Sequence, residues 1–256
     1  MIILKFTQIR NATIIVEYNN TKFLIDPALA DKGSYPSFPN SPRQEEGNPS
    51  VELPFSKDKI LNVDAVIVTH LHSDHFDDTA KELLSKSIKI FVQNKADYLQ
   101  LEEYGFKNIE ILSEDTEFNG ISLIKTKGHH GRGEDFKRFG EACGVVFKHP
   151  NEKTLYVAGD TIWYEETEKV MNTYNPEIVV TNAGANRFFD TEPVVMGKED
   201  LYELYKAAPY ATIIASHMEA FNHWSLSRAE LREFSVKKGF DSSLLVPEDG
   251  ESYSLT

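Results

Sequence analysis

The sequence predicts an α/β protein in which two sheets pack together with helices outside. Three observations lead there. Short apolar runs rich in β-branched residues recur along the chain; after a strand-rich start they alternate with amphipathic helical stretches; and 41% apolar residues in 256 supply a sizeable core.

Strands are expected at Ile2–Phe6, Thr13–Tyr18, Lys22–Ile25, Ala65–Val68, Ile88–Val92 and Ile109–Leu112, then at Ile121–Thr126, Gly144–Phe147, Thr154–Val157, Ile178–Thr181, Thr212–Ala215 and Leu244–Val246. Helices are expected at Asp78–Lys86, Lys95–Tyr104, Glu165–Thr173, Lys198–Ala208 and Ser227–Lys238. Asp77, Asn94, Gly197 and Ser225 lie near sensible starts for four of them, since these residue types suit the free N–H groups of a first turn. No short-period repeat divides the chain, and residues 1–256 read as one domain. The stretch from Leu29 to Pro54 stands apart, with four prolines and two glycines in ADKGSYPSFPNSPRQEEGNPS and no usable periodicity. A loop this long is a functional lid or disordered. Tyr35 and Phe38 would be out of place in a purely solvated tether, which makes a lid a candidate role.

Composition excludes several classes. The net charge is −13, from 40 acidic and 27 basic residues, with no dense Lys/Arg block. Polyanions bind through basic patches, so nucleic acid is a poor substrate and a small molecule a better one. No stretch approaches the roughly 20 consecutive apolar residues of a membrane span. The opening MIILKFTQIRN is too short and too quickly polar for a secretory signal, so a cytoplasmic protein is expected. The single Cys143 cannot form an internal bridge; it has no thiolate-activating neighbour and reads as a buried structural residue.

Chemistry concentrates in THLHSDHFDD at 69–78, directly behind the apolar run 63–68. Side chains alternate along an extended chain, so His70 and His72 fall on one side and can reach one ion. Asp74 and His75 follow at the turn before a helix. Neutral imidazoles with a carboxylate suit Zn²⁺, with Mn²⁺ or Fe²⁺ as alternatives, in one or two copies. An N-terminal helix cap explains Asp77 and Asp78 but not three histidines. Asp160 follows an apolar strand through Gly159, which permits close backbone approach. No G-x-S-x-G, P-loop or dinucleotide fingerprint competes.

His70-Leu71-His72-Ser73-Asp74-His75 resembles the HxHxDH signature of the metallo-β-lactamase superfamily. The likeness covers nearly the whole chain, through LIDP at 24–27, TKGHHG at 126–131, AGDT at 158–161 and ASHMEA at 215–220. It implies an αββα four-layer sandwich of two mixed sheets with helices outside. It also implies that His70, His72 and a histidine of the 126–131 loop hold a first metal, that Asp74, His75 and His217 hold a second, and that Asp160 bridges them. A TPGH-type loop would select His129; the L-ascorbate-6-phosphate lactonase-like hydrolases, which the chain looks like, select His130. Gly131 favours His130. Lys127 also departs from the TPGH proline.

The implied activity is metal-dependent hydrolysis by a metal-activated hydroxide, with Asp74 or Asp160 orienting it and no covalent enzyme intermediate. A redox di-iron member would carry glutamate at the position of His72. A small, anionic lactone, phosphoester or amide is the expected substrate, and Arg132 is a candidate anion contact. His223 reads either as a helix-entry residue packed by Trp224 or as a proton donor or substrate contact. His149 reads as a hairpin turn. The competing reading is a non-catalytic, metal-retaining binding or regulatory protein of the same fold. A homo-oligomer stays open.

Overall fold

Strands covered on both faces read as unbroken apolar runs, and here successive residues of each run serve opposite faces. The computed structural model describes residues 4–255. In chain order the elements are β1 (Leu4–Arg10), β2 (Thr13–Tyr18), β3 (Thr21–Ile25), α1 (Lys57–Ile60), β4 (Ala65–Val68), α2 (Asp78–Leu83), β5 (Lys89–Val92), α3 (Lys95–Glu103), β6 (Ile109–Ile111), β7 (Glu117–Phe118), β8 (Ile121–Lys127), α4 (Phe136–Phe139), β9 (Cys143–Lys148), β10 (Leu155–Val157), α5 (Glu165–Tyr174), β11 (Ile178–Asn182), α6 (Lys198–Ala207), β12 (Thr212–Ser216), α7 (Arg228–Lys238), β13 (Leu244–Leu245) and β14 (Ser252–Leu255). The first expected strand therefore begins at Leu4; Ile2 and Ile3 lie outside the described residues.

Two seven-stranded sheets result, ordered β14-β1-β2-β3-β4-β5-β6 and β13-β12-β11-β10-β9-β8-β7. Each is antiparallel at one end and parallel at the other, with β3 to β6 parallel in the first and β10 to β13 parallel in the second. Phe23, Ile25, Ala65 and Ile67 of the first sheet meet Val145, Phe147, Val157 and Ile214 of the second in one buried core. The alternate residues Leu24, Val66, Val68 and Ile90 face outward onto Ile60, Ala80 and Leu101. Val146, Tyr156, Val179 and Ile213 likewise face Val170, Leu201, Leu204 and Leu231. The layers are thus helix, sheet, sheet, helix, as the sequence led us to expect.

Local chemistry sets the helix starts. Asp77 caps α2 by accepting from the Ala80 amide at 2.7 Å, and Asn94 caps α3 by accepting from Asp97 at 2.9 Å. For α7 the cap is Ser227, not Ser225, because Ser227 and Glu230 form a reciprocal capping box. The Ser225 hydroxyl donates instead to the Ala185 carbonyl.

Cys143 sits in the inter-sheet core, and burial pushes its thiol pKa far up. Treating native protein with a disulfide reagent is expected to leave it unlabelled over a time in which the unfolded chain reacts fully. Rapid native labelling, read by mass, would contradict its placement in the core.

Candidate metal centre

Parallel strands deliver their carboxyl ends to one edge of a sheet, and loops leaving that edge converge. Asp26 directly follows β3 and His217 directly follows β12, His70 lies two residues past β4 and Asp160 three past β10, while Asn182 is the last residue of β11. The turns are tight: Asp26, Ala185 and His217 have φ of 49°, 45° and 60°, in the left-handed region. Gly159 has φ 66°, and a Cβ there would lie 2.3 Å from the Cys143 carbonyl oxygen, so no other residue fits the approach that precedes Asp160.

The structure brings together His70, His72, His130, His75, His217, Asp74 and Asp160. His70 Nε2 lies 2.9 Å from His72 Nδ1, and His75 Nε2 lies 3.1 Å from His217 Nε2. Asp74 Oδ2 is 3.3 Å from His217 Nε2. Asp160 Oδ2 is 3.3 Å from His75 Nε2, 3.4 Å from His130 Nε2 and 4.0 Å from His70 Nε2, while Oδ1 is 3.8 Å from His217 Nε2. Among the described residues three sets of donor atoms, each mutually within 4.8 Å, could hold an ion: His70 with His72 and His130, His70 with His75 and Asp160, and Asp74 with His75 and His217.

Of the loop pair, His130 faces this cluster. His129 has its ring between Phe136 and Tyr164, with centroid distances of 4.7 and 5.0 Å. Arg132, the candidate anion contact, is tied bidentately to Asp200 at 2.7 and 2.6 Å. His149 lies in the turn after β9, where the Glu152 amide donates to its carbonyl.

Partners on the far side of the rings fix which nitrogen faces inward. His75 Nδ1–H donates to Asp26 Oδ2 at 2.8 Å, and His130 Nδ1–H to the Val194 carbonyl at 3.0 Å. The Thr69 hydroxyl gives its proton to Asp26 Oδ2 at 2.7 Å and so accepts from His70 Nδ1–H at 3.2 Å. The Nε2 atoms of His70, His75 and His130 therefore point into the cluster. Asn182 donates to Asp160 Oδ1 at 2.6 Å, and Asn11 donates to the Asp74 carbonyl at 3.1 Å. Sequence reading gave no role to Asp26, Asn11 or Asn182; the position of Asp26 in LIDP at a strand end was the available signal.

Electrostatics point the same way. Burial works to raise the pKa of Asp160, but His75, His217 and His130 outweigh it and hold the carboxylate well below its usual range. Asp74 is held down likewise, burial being overcome by His75, His217 and His223. Burial, with His75 and His72 beside it, drives His70 well below the usual histidine range; His72 is lowered mainly by burial. His75 moves the other way, because Asp160, Asp26 and Asp74 outweigh its burial. Three buried carboxylates thus favour positive charge at the centre of the cluster, and the inward Nε2 atoms are placed to bind a cation. The donor set fits a divalent metal.

Above the cluster is a cavity of about 220 Å³. Its floor is His72, Asp74, His130 and Asp160; its walls are Phe38, Phe139, Phe188 and Val194, with His223 beside them. His223 Nε2 is 3.6 Å from Asp74 Oδ2, and its pKa is pushed down to about 4, chiefly by burial. Of the wall-forming phenylalanines the sequence pointed to Phe38, within the candidate lid; Phe139 and Phe188 carried no such signal.

A family model described as "Beta-lactamase superfamily domain" matches residues 21–218. A Bacillus subtilis protein, UPF0173 protein YddR, is 60% identical over 254 residues, 98% of this chain and 100% of that protein. Among solved structures, an isothiocyanate hydrolase from Delia radicum gut bacteria has TM-score 0.94 and 44% identity, covering 98% of this chain and 99% of that one. A chain from Veillonella parvula described as a possible metal-dependent hydrolase has TM-score 0.96 and 41% identity, covering 99% and 100%. More distant relatives, at 24% identity, carry the name UPF0173 metal-dependent hydrolase. With the family model spanning most of the chain and the donor cluster at its sheet edge, the chain belongs to the beta-lactamase superfamily and is a metal-dependent hydrolase of that fold.

Proposed function

We propose that the chain hydrolyses a small, uncharged electrophile carrying an apolar side group, with isothiocyanates as the substrate class, at a zinc centre. His70, His72 and His130 would hold one ion and Asp74, His75 and His217 a second, with Asp160 between them. Zinc bound there supplies Lewis acidity that makes hydroxide available at neutral pH. Asp74 and Asp160, both ionised, orient water by accepting its protons in hydrogen bonds. His223, neutral at pH 7, lines the cavity beside Asp74 as a substrate contact, with its Nε2 accepting from Asn186 Nδ2 at 3.1 Å.

The observation that carries this reading is the pocket wall. Phe38, Phe139, Phe188 and Val194 rise over the polar floor, and among the described residues no Lys or Arg lines the cavity. A charged side group would lose its water there without gaining a partner, whereas an aryl or alkyl group is stabilised by burial. Arg138, the cation stacked against Phe139 and Phe188, is already paired with Asp190 at 2.9 Å. The likeness to a bacterial isothiocyanate hydrolase supports the same class. In that reaction water adds to the central carbon of R–N=C=S; the thiocarbamic acid formed then breaks its C–N bond, leaving R–NH₂ and carbonyl sulfide.

Zinc-loaded protein incubated with benzyl isothiocyanate is expected to consume it and release benzylamine, and a chelator is expected to abolish this. Turnover of anionic lactones or phosphoesters with none of isothiocyanates would sink the proposal in favour of the anionic substrate expected from the sequence.

Asp26 offers a separate check on the metal assignment. It accepts from the Thr69 amide at 2.7 Å, the Thr69 hydroxyl at 2.7 Å and His75 Nδ1 at 2.8 Å. Asp26→Asn replaces one acceptor oxygen by a donor and lets the His75 ring turn. Zinc affinity measured by chelator competition is expected to fall about 10- to 100-fold. An unchanged affinity would mean that the His75 orientation does not matter to the ion.

A further inference from the structure

The segment between β3 and α1 was a candidate lid, but its hydrogen bonds describe something fixed. We infer that this segment is a docked wall in which Phe38 limits the size of the side group the pocket accepts, and that Asn222 is the residue that positions it. The inference rests on the uncharged, apolar-group reading of the same pocket.

Asn222 is fully buried, and every polar atom of its side chain is used by the segment. Its Oδ1 accepts from the Phe38 amide at 2.8 Å and from Asn48 Nδ2 at 2.9 Å. Its Nδ2 donates to Ser41 Oγ and to the Pro42 carbonyl, both at 2.7 Å. Its own amide donates to Asn48 Oδ1 at 2.9 Å. An amide saturated on both ends has one orientation, and the backbone at Phe38 is held with it.

The residues on either side of Asn222 grip the Phe38 ring. Phe221 stacks on it at 5.8 Å and 17°, and His223 meets it edge-on at 5.0 Å and 88°. A second tie joins this wall to the opposite one: the Phe189 amide donates to the Asn40 carbonyl at 2.7 Å, and Asn40 Nδ2 donates to Asp190 Oδ1 at 2.6 Å. Phe188, next in the chain to those contacts, stacks on Phe139 at 5.4 Å. Both aromatic walls are therefore held as one frame around a cavity of about 220 Å³.

The test compares a small with a bulky side group, in binding as well as turnover. Benzylurea and naphthylmethylurea serve as uncharged, non-hydrolysed probes measured by calorimetry on zinc-loaded protein; allyl and naphthylmethyl isothiocyanate serve as substrates. Phe38→Ala is expected to raise the bulky-to-small ratio of affinities about tenfold or more, with Phe38→Leu intermediate and Phe38→Trp opposite in sign. Asn222→Ala should shift the ratio in the same direction as Phe38→Ala, through KM and not kcat, and Asn222→Asp, which keeps the acceptor for the Phe38 amide, should lie between. A ratio unchanged in Phe38→Ala, Phe38→Leu and Phe38→Trp overturns the wall. Absent isothiocyanate turnover with a shifted urea ratio would remove the substrate class and leave the wall standing.

Discussion

Asp160→Ala is expected to lower turnover at least about 1000-fold and to reduce the metal content of the purified protein. Asp160 reaches both halves of the centre with its carboxylate: Oδ2 lies within 4.0 Å of His70, His75 and His130, and Oδ1 lies 3.8 Å from His217. Two cations held by these sets would repel, and a carboxylate between them would supply compensating charge in a buried site. Asn182, donating at 2.6 Å, holds the carboxylate in that position. Elemental analysis alongside a steady-state assay checks both expectations, with circular dichroism to confirm that the variant is folded. A folded variant keeping its metal and its turnover would remove Asp160 from the centre altogether.

The contrast between this residue and the pocket walls shows what a sequence exposes. His70, His72, Asp74 and His75 fall within six residues, and backbone alternation alone puts two of them together. Asp160 and His217 each follow an apolar strand, so a rule about strand ends was enough to draw attention to them. Strands buried on both faces, such as β4 and β9, announce themselves as unbroken apolar runs. The pairs Glu117–Phe118 and Leu244–Leu245 are near the limit of what such runs reveal, and Ser252–Leu255, half exposed at a sheet edge, gives no run at all. One-turn helices at Lys57–Ile60 and Phe136–Phe139 are too short for any periodicity. The walls are harder still. Phe38 and Phe188 come from two distant loops and Phe139 from the end of the one-turn α4; the sequence hinted at Phe38 alone, and only the closed topology brings the three together over the polar floor.

Arg10 belongs to the same hidden category and carries the largest expected effect on stability. Arg10→Leu is expected to lower the unfolding free energy by about 3–5 kcal/mol. The side chain is fully buried, and its guanidinium donates to the Val51 carbonyl at 3.0 Å and to the Ala28 and Ala30 carbonyls at 2.8 Å each. These carbonyls stand at the entry and exit of the wall segment, so one planar group closes a loop of more than twenty residues. Burial lowers the Arg10 pKa, against the pull of Asp77, Asp249, Glu52 and Asp31 around it. Leucine would fill part of the volume but leave three acceptors without donors in a place where water does not replace them freely. Arg10→Lys is expected to destabilise too, because an ammonium cannot reproduce the fork that spans three carbonyls. Chemical denaturation gives the magnitude, and limited proteolysis gives the location: cleavage should increase first within residues 29–54. An unaltered denaturation midpoint in both variants would show that Arg10 does not anchor the segment and that it is held from the Asn222 end alone.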